Sequence, residues 1–354
     1  MNARRRIAVV LMNLGGPDSP DTVRPFLFNL FNDRAILELP QPVRWLLAQF
    51  ISRRRAKLAR GNYARIGGAS PLLSNTQAQA RALAGALAGL GEARVFIAMR
   101  YWKPFAEDAA REVKEFDPHE IVLLPLYPQY SGTTSGSSLK AWRAAARSVG
   151  ISAATHGVCC YPDAPGFAGS AAASIDTALR QAARVGAPRL LLSAHGLPRK
   201  TVGRGDPYQN QVERSATAIL AALAKRDQAW ASLEHEVCYQ SRVGPLEWLR
   251  PYTEDEIRRA ARDGRAIVLF PVAFVSEHVE TLVELDMDYK RIAESAGAPA
   301  YIRVPAVGVE PAFIAGLAVL VRDALARSPC TASADGARIC PAVLTRCAMQ
   351  GQPA

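Results

Sequence analysis

The chain has 354 residues, 49% of them hydrophobic, enough for about two globular domains whose cores need no disulfide or metal staple. Its formal net charge of +11 points to an anionic partner, and an acidic membrane surface or a polycarboxylate ligand fits that sign; with no paired Cys/His finger and no aromatic platform beside the basic runs, nucleic acid is excluded. No apolar run approaches the length of a membrane span, and the run behind the basic start Arg4-Arg5-Arg6 is too short for a signal peptide, so the expected compartment is the cytosol, with reduced thiols.

Ile7 to Met12 reads as a buried strand and Asn13-Leu14-Gly15-Gly16-Pro17 as the tight loop at its end. Large apolar residues follow: Phe26, Leu27, Phe28, Leu30 and Phe31, then, past the break at Pro40 and Pro42, Trp45, Leu46, Leu47, Phe50 and Ile51. Arg53, Arg54, Arg55, Lys57 and Arg60 stand directly behind them. Two readings stay side by side. These are core helices with a solvated basic end, or a hydrophobic lip with a basic rim that meets a membrane surface or a flat amphiphilic ligand. Tyr63 leads into the glycine loop Ile66 to Pro71, which holds Ser70, and an Ala-rich helix is expected from about Asn75 to Leu90. Val95 to Met99 is a short strand ending at Arg100-Tyr101, a helix over 104–116 follows, and Ile121 to Pro125 is the next buried strand. The hydroxyl-rich loop Ser131 to Ser138 precedes a helix starting near Leu139, a place to cradle an anion or simply to cap the helix.

The second half retraces the first. Arg189 to Ser193 is a strand ending in Ala194-His195-Gly196-Leu197-Pro198, and Ala266 to Phe270 is a strand ending at Pro271. Strands alternating with helices predict parallel sheets, and the doubled pattern predicts an α/β protein of two Rossmann-like lobes with a cleft between them. Beyond Phe270, Glu277, Glu280, Glu284 and Asp288 recur at helical spacing, so the four carboxylates are expected on one helix face, beside a mostly apolar stripe of His278, Leu282, Leu285 and Tyr289. A row of like charges costs stability and is usually a solvated face. Here it lies just past a strand end, where open α/β sheets bind ligands, and His195 lies past another strand end of the same lobe. Imidazole with carboxylate suits divalent iron, zinc or cobalt, and the same pair moves protons near neutral pH.

These segments carry a resemblance to the ferrochelatases, which insert ferrous iron into a porphyrin to make haem. It covers roughly residues 7 to 322 through NLGGP at 13–17, RIGGASP at 65–71, MRYWKP at 99–104, LYPQYS at 126–131, SAHGLP at 193–198, GDPY at 205–208, CYQSRVGPLEWL at 238–249 and SEHVETLVELD at 276–286. The resemblance implies a chelatase-like pair of lobes, His195 and Glu280 as the catalytic metal-insertion pair, Glu284 and Asp288 as further metal groups of an acidic track, and a porphyrin as the ring, protoporphyrin favoured over coproporphyrin, between which the sequence does not decide. By motif position, Leu14, Tyr101 and Trp248 are porphyrin wall candidates, and Arg54, Tyr63, Ser70 and Arg100 are candidate anchors for its carboxylate arms. A chelatase for another metal or tetrapyrrole, and a haem- or metal-carrying protein without catalysis, are the alternatives; the presence of both His195 and Glu280 argues against the last.

The expected organisation is a first lobe over 1–160 completed by a helix at 311–327, a second lobe over 161–310, and a tail over 328–354 that crowds Cys330, Cys340 and Cys347. Some ferrochelatases hold a [2Fe–2S] cluster on three C-terminal cysteines and one in the YPQYS loop. Here that loop continues Gly132-Thr133 and lacks the fourth cysteine, so a cluster on Cys330, Cys340 and Cys347 needs Cys159, Cys160 or Cys238 as its fourth ligand. A peripheral contact with the inner face of the membrane, through Phe26 to Ile51 and the arginines behind, completes the expectation.

Overall fold

A computed structural model describes residues 5–351; Arg4 of the basic start and 352–354 of the tail lie outside the described residues. In chain order the elements are β1 (Arg6–Asn13), α1 (Val23–Phe31), α2 (Gln41–Ala64), α3 (Leu72–Ala86), β2 (Glu92–Met99), α4 (Ala106–Phe116), β3 (Glu120–Pro125), α5 (Ser135–Ser148), β4 (Ala154–Val158) and α6 (Pro165–Ala182). Next come β5 (Pro188–His195), α7 (Arg199–Gly203), α8 (Tyr208–Arg226), β6 (His235–Gln240), α9 (Thr253–Arg262), β7 (Ala266–Pro271), a π-helix (Glu280–Tyr289), α10 (Lys290–Ser295), β8 (Tyr301–Arg303), α11 (Pro311–Leu325) and β9 (Thr331–Ala332).

The chain divides into two compact units, the first reaching to Cys160 and taking in Ala318–Arg338, the second made of Tyr161–Leu317 and the chain from Ile339 onward. The division falls inside α11, which the sequence had assigned whole to the first lobe, and 328–354 is not a separate tail: β9 pairs in parallel with β4 in the first unit's sheet. Both sheets are parallel throughout, in the orders β2-β1-β3-β4-β9 and β6-β5-β7-β8. The repeated order explains the doubled sequence pattern. Strands such as IAVVLM and AIVLF are continuous apolar runs because parallel strands are covered on both faces, and Ile7 to Leu11 and Ala266 to Phe270 have no exposed surface.

In the first unit Ala8, Val10, Ile121 and Leu123 pack with Val113 and Phe116 of α4 and Trp142 of α5. In the second, Leu191, Ile267 and Leu269 pack with Ile257 and Ala260 of α9 and with Leu285 and Tyr289 of the π-helix, so the helix that carries the carboxylates is rooted in the core by its apolar side. Among the described residues no helix is long and apolar enough to cross a membrane.

Candidate active site

In the second unit the chain leaves β5 for β6 on one side and returns to β7 on the other, so the carboxyl ends of β5 and β7 form the point where strand order reverses and a crevice opens. His195 is the last residue of β5, and Glu280 begins the π-helix that follows β7. Their side chains meet: His195 Nδ1 lies 2.9 Å from Glu280 Oε2, with 35% and 28% of the two side chains exposed, so a ligand can still reach the pair. The histidine is held from behind. Tyr208 donates its hydroxyl to the His195 carbonyl at 2.9 Å, and Trp248 and Phe274 stand edge-on to the ring at 6.4 and 6.5 Å. A side chain at Gly196 would collide with the Gln240 carbonyl at 2.9 Å and press on Trp248 at 3.2 Å, so glycine is needed for β5 to run this close to its neighbours.

The carboxylate row departs from the α-helical expectation. The segment is a π-helix, wound wider than an α-helix by hydrogen bonds reaching one residue further, a form found frequently at functional sites. Glu280 and Glu284 stay neighbours, joined by Ser241 at the end of β6: its backbone N–H donates to Glu284 Oε1 at 3.0 Å, and its hydroxyl bonds Glu284 Oε2 and lies 3.4 Å from Glu280 Oε2. Tyr289 completes the Glu284 carboxyl with a 2.8 Å bond. Glu277 has left the row, turned to Arg303 and to the Ala306 N–H, and Asp288 is drawn to Arg291 at 3.7 Å. Of the expected metal groups, then, His195 and Glu280 touch, Glu284 joins through Ser241, and Asp288 pairs with Arg291.

His278 and Ser241 were missed as site residues. Sequence reasoning placed His278 on the apolar stripe, yet its Nε2 is 3.8 Å from Glu280 Oε2 while its ring packs on Phe274 at 4.3 Å. Ser241 sits inside the CYQSRVGPLEWL segment, at a strand end beside β5, which was the signal available for it. Electrostatics follow from the contacts. Burial pushes the Glu280 carboxyl up, but His195 and then His278 outweigh it and hold the pKa well below the usual range. Burial pulls the His195 imidazole down, and Glu280 more than offsets that, so its pKa is raised. Glu284 is raised by burial and by repulsion from Glu280.

The porphyrin candidates of the first unit differ among themselves. Leu14 and Ser70 are half-buried, Arg54 is exposed, and Tyr63 is buried, its hydroxyl near the Gly16 backbone. Arg100 is engaged by Asp33 at 2.8 Å and Ser137 at 2.7 Å. Tyr101 is 1% exposed and donates its hydroxyl to Asp33 at 2.9 Å, so as it stands it offers no face as a wall. Trp248, in the second unit, is half-buried against His195.

The expected cluster ligands are shared between the two units, Cys159, Cys160 and Cys330 in the first and Cys238, Cys340 and Cys347 in the second. Cys330 is exposed ahead of β9, Cys340 is buried and accepts from Gln211 Nε2 at 3.1 Å, and Cys347 is buried. Cys159 and Cys160 face each other at 3.5 Å, and burial pushes the Cys238 thiol up to about 12, far from the thiolate a metal needs. Among the described residues no three His, Cys, Asp or Glu side chains gather into a metal site.

The α/β fold is shared with SirB from Bacillus subtilis with Fe3+, at a TM-score of 0.51 and 12% identity over 90% of this chain and 95% of that one. The family model described as Ferrochelatase matches residues 6–325. A ferrochelatase of Phenylobacterium zucineum is 54% identical over 346 residues, 97% of this chain and 98% of that protein. One of Caulobacter vibrioides is 51% identical over 347 residues, 97% of each. The chain belongs to the ferrochelatase family, lyases that insert a metal into a porphyrin for haem synthesis.

Proposed function

We propose that the chain inserts ferrous iron into protoporphyrin at the His195–Glu280 pair. The observation that carries this reading is the 2.9 Å contact between an imidazole and a carboxylate at the strand-order reversal of the second sheet, both partly open to a ligand. The reaction removes two pyrrole protons from the ring and strips water from the metal. Imidazole and carboxylate are donors of the hardness ferrous iron accepts and are also proton acceptors, so one pair serves both demands. Two donors leave most of the metal's coordination positions for the ring nitrogens. Glu284, linked to Glu280 by Ser241, extends the carboxylate row beyond the pair and supports a role as the next cation donor. Iron is here a substrate.

A ring with two carboxylate arms suits the anchors better than one with four. Arg100 is already balanced by Asp33, Tyr63 and Ser70 are neutral, and Arg54 remains the exposed cation among the candidates. Anaerobic turnover with Fe2+ and protoporphyrin, against coproporphyrin, tests the assignment. Activity only with coproporphyrin, or only with cobalt and a non-porphyrin ring, overturns it. His195→Ala and Glu280→Ala are expected to lose at least about two orders of magnitude in turnover while melting near the parent and binding porphyrin. A folded, porphyrin-binding variant of either kind that works at the parental rate removes the pair from the mechanism. The reading includes peripheral membrane contact through the exposed apolar side chains of α2, Trp45, Leu46 and Phe50.

A further inference from the structure

The stretch that carries Glu280 and Glu284 is tied down at both flanks by one guanidinium. Arg303, the last residue of the three-residue edge strand β8, has only 10% of its side chain exposed. Its Nη1 holds Glu277, three residues before Glu280, and its Nε and Nη2 hold Asp286, two residues beyond Glu284, the Nε bond being 2.7 Å. Glu277 also accepts the Ala306 N–H at 2.9 Å, and Tyr301 of the same strand donates its hydroxyl to the Leu285 carbonyl at 2.7 Å. β8 itself is registered against β7, with Leu269 opposite Arg303. The sheet position is thus transmitted through one side chain to a helix bearing Glu280, Glu284, Asp286 and Asp288, whose like charges repel one another along it.

The geometry points to Arg303 as a positioning residue that sets the distance of Glu280 and Glu284 from His195 by clamping Glu277 and Asp286; this rests on the iron-insertion reading above. The planar fork grips Asp286 with two donors while a third holds Glu277. A lysine keeps the charge but presents one compact donor group, so Arg303→Lys separates geometry from charge. A displacement of about 1 Å at reacting groups costs up to roughly 10²-fold in rate.

The test has two readouts. Hydrogen exchange across 280–289 is expected to quicken in Arg303→Lys while β7 keeps its protection. Anaerobic insertion, scaled to porphyrin-binding sites counted by fluorescence titration, is expected to show kcat lower by about tenfold or more and a higher KM for Fe2+, with the porphyrin KM unchanged. The double variant Glu277→Gln with Asp286→Asn, which keeps Arg303 and removes both ion pairs, is expected to reproduce both effects and serves if the lysine variant does not fold. Parental exchange over 280–289 in the folded variant overturns the clamp. So does a loss of activity that scales only with the number of folded sites. If the parent inserts no iron at all, the functional reading fails, while the exchange experiment still decides the clamp.

Discussion

Glu284 and Asp288 stand one turn apart in the chain and in very different surroundings. Glu284 receives Ser241 and Tyr289, whereas Asp288 pairs at 3.7 Å with Arg291, whose side chain is 78% exposed. Outer groups that orient a metal donor are worth roughly 10–100-fold in metal affinity, so Glu284→Gln is expected to raise the KM for Fe2+ by about tenfold with the porphyrin KM unchanged. A surface pair is worth little, so Asp288→Asn should stay within about twofold, and steady-state kinetics with iron varied decides both. In the first unit, burial pushes the Asp33 carboxyl up, but the Ser137 hydroxyl and the Arg100 guanidinium outweigh it and lower the pKa. A lowered carboxyl pKa stabilises the fold above the unfolded value of about 3.9 and loses that contribution as pH falls through the folded value. Asp33→Asn, which strands a partly buried arginine, is expected to cost on the order of 3 kcal/mol at pH 7. In urea unfolding the gap from the parent should narrow below about pH 4; a gap that does not change with pH removes the charge from the explanation. At this scale His195 and Glu280 stood out as candidates because each comes after an apolar run, Arg189 to Ser193 and Ala266 to Phe270, and the structure brings their side chains within 2.9 Å. Ser241 and His278 were not, since a serine within a mixed segment and a histidine at apolar spacing look like packing until the strand order brings β6 and the π-helix to β5.

Element types were readable where one period dominated. The apolar runs of β1, β3, β5 and β7 stood out because both faces of a parallel strand are buried, while β4, written ATHGV, carries a buried histidine and a glycine and was passed over. The hydroxyl-rich loop proved to contain the first turn of α5, which starts at Ser135 and not near Leu139, because serines favour helix starts and their spacing holds no apolar signal. The π-helix was invisible for a related reason: residues four apart stay neighbours in either winding, so Glu280 and Glu284 fit both, while Glu277, which precedes the helix, stands outside the row and holds Arg303. Another element-level contact makes its own demand. In the second unit α6 crosses the start of α11 with Gly166 against Gly316, so close that a Cβ on Gly166 would lie 2.7 Å from the Gly316 Cα and one on Gly316 would lie 2.9 Å from the Gly166 Cα. Backbone cannot yield as a flexible side chain does, so Gly316→Ala should destabilise by about 1–3 kcal/mol although alanine favours helices. A melting temperature at or above the parent's would show that the crossing relaxes freely.

At the scale of the whole molecule the charge and the apolar surface converge on α2. Leu46, Phe50 and Leu58 are 62%, 60% and 67% exposed, an amount of bare hydrocarbon that a soluble surface rarely leaves without use. Arg53, Arg54, Lys57 and Arg60 are exposed on the same 24-residue helix, and the chain as a whole carries +11. Each cation near an anionic bilayer contributes about 1 kcal/mol, so three of them acting together give roughly a hundredfold preference over a neutral surface. That attraction decays over about 8 Å at physiological ionic strength and about 3 Å at 1 M, while burial of Leu46 and Phe50 does not depend on screening in this way. The protein is therefore expected to float with vesicles containing anionic lipid at low salt, to float poorly with zwitterionic vesicles, and to be released as salt is raised. Leu46→Glu combined with Phe50→Glu should abolish flotation even at low salt while leaving turnover in detergent solution close to parental. If the parent does not co-migrate with anionic vesicles at low salt, the face does not serve a membrane, and α2's apolar side chains belong to substrate enclosure alone.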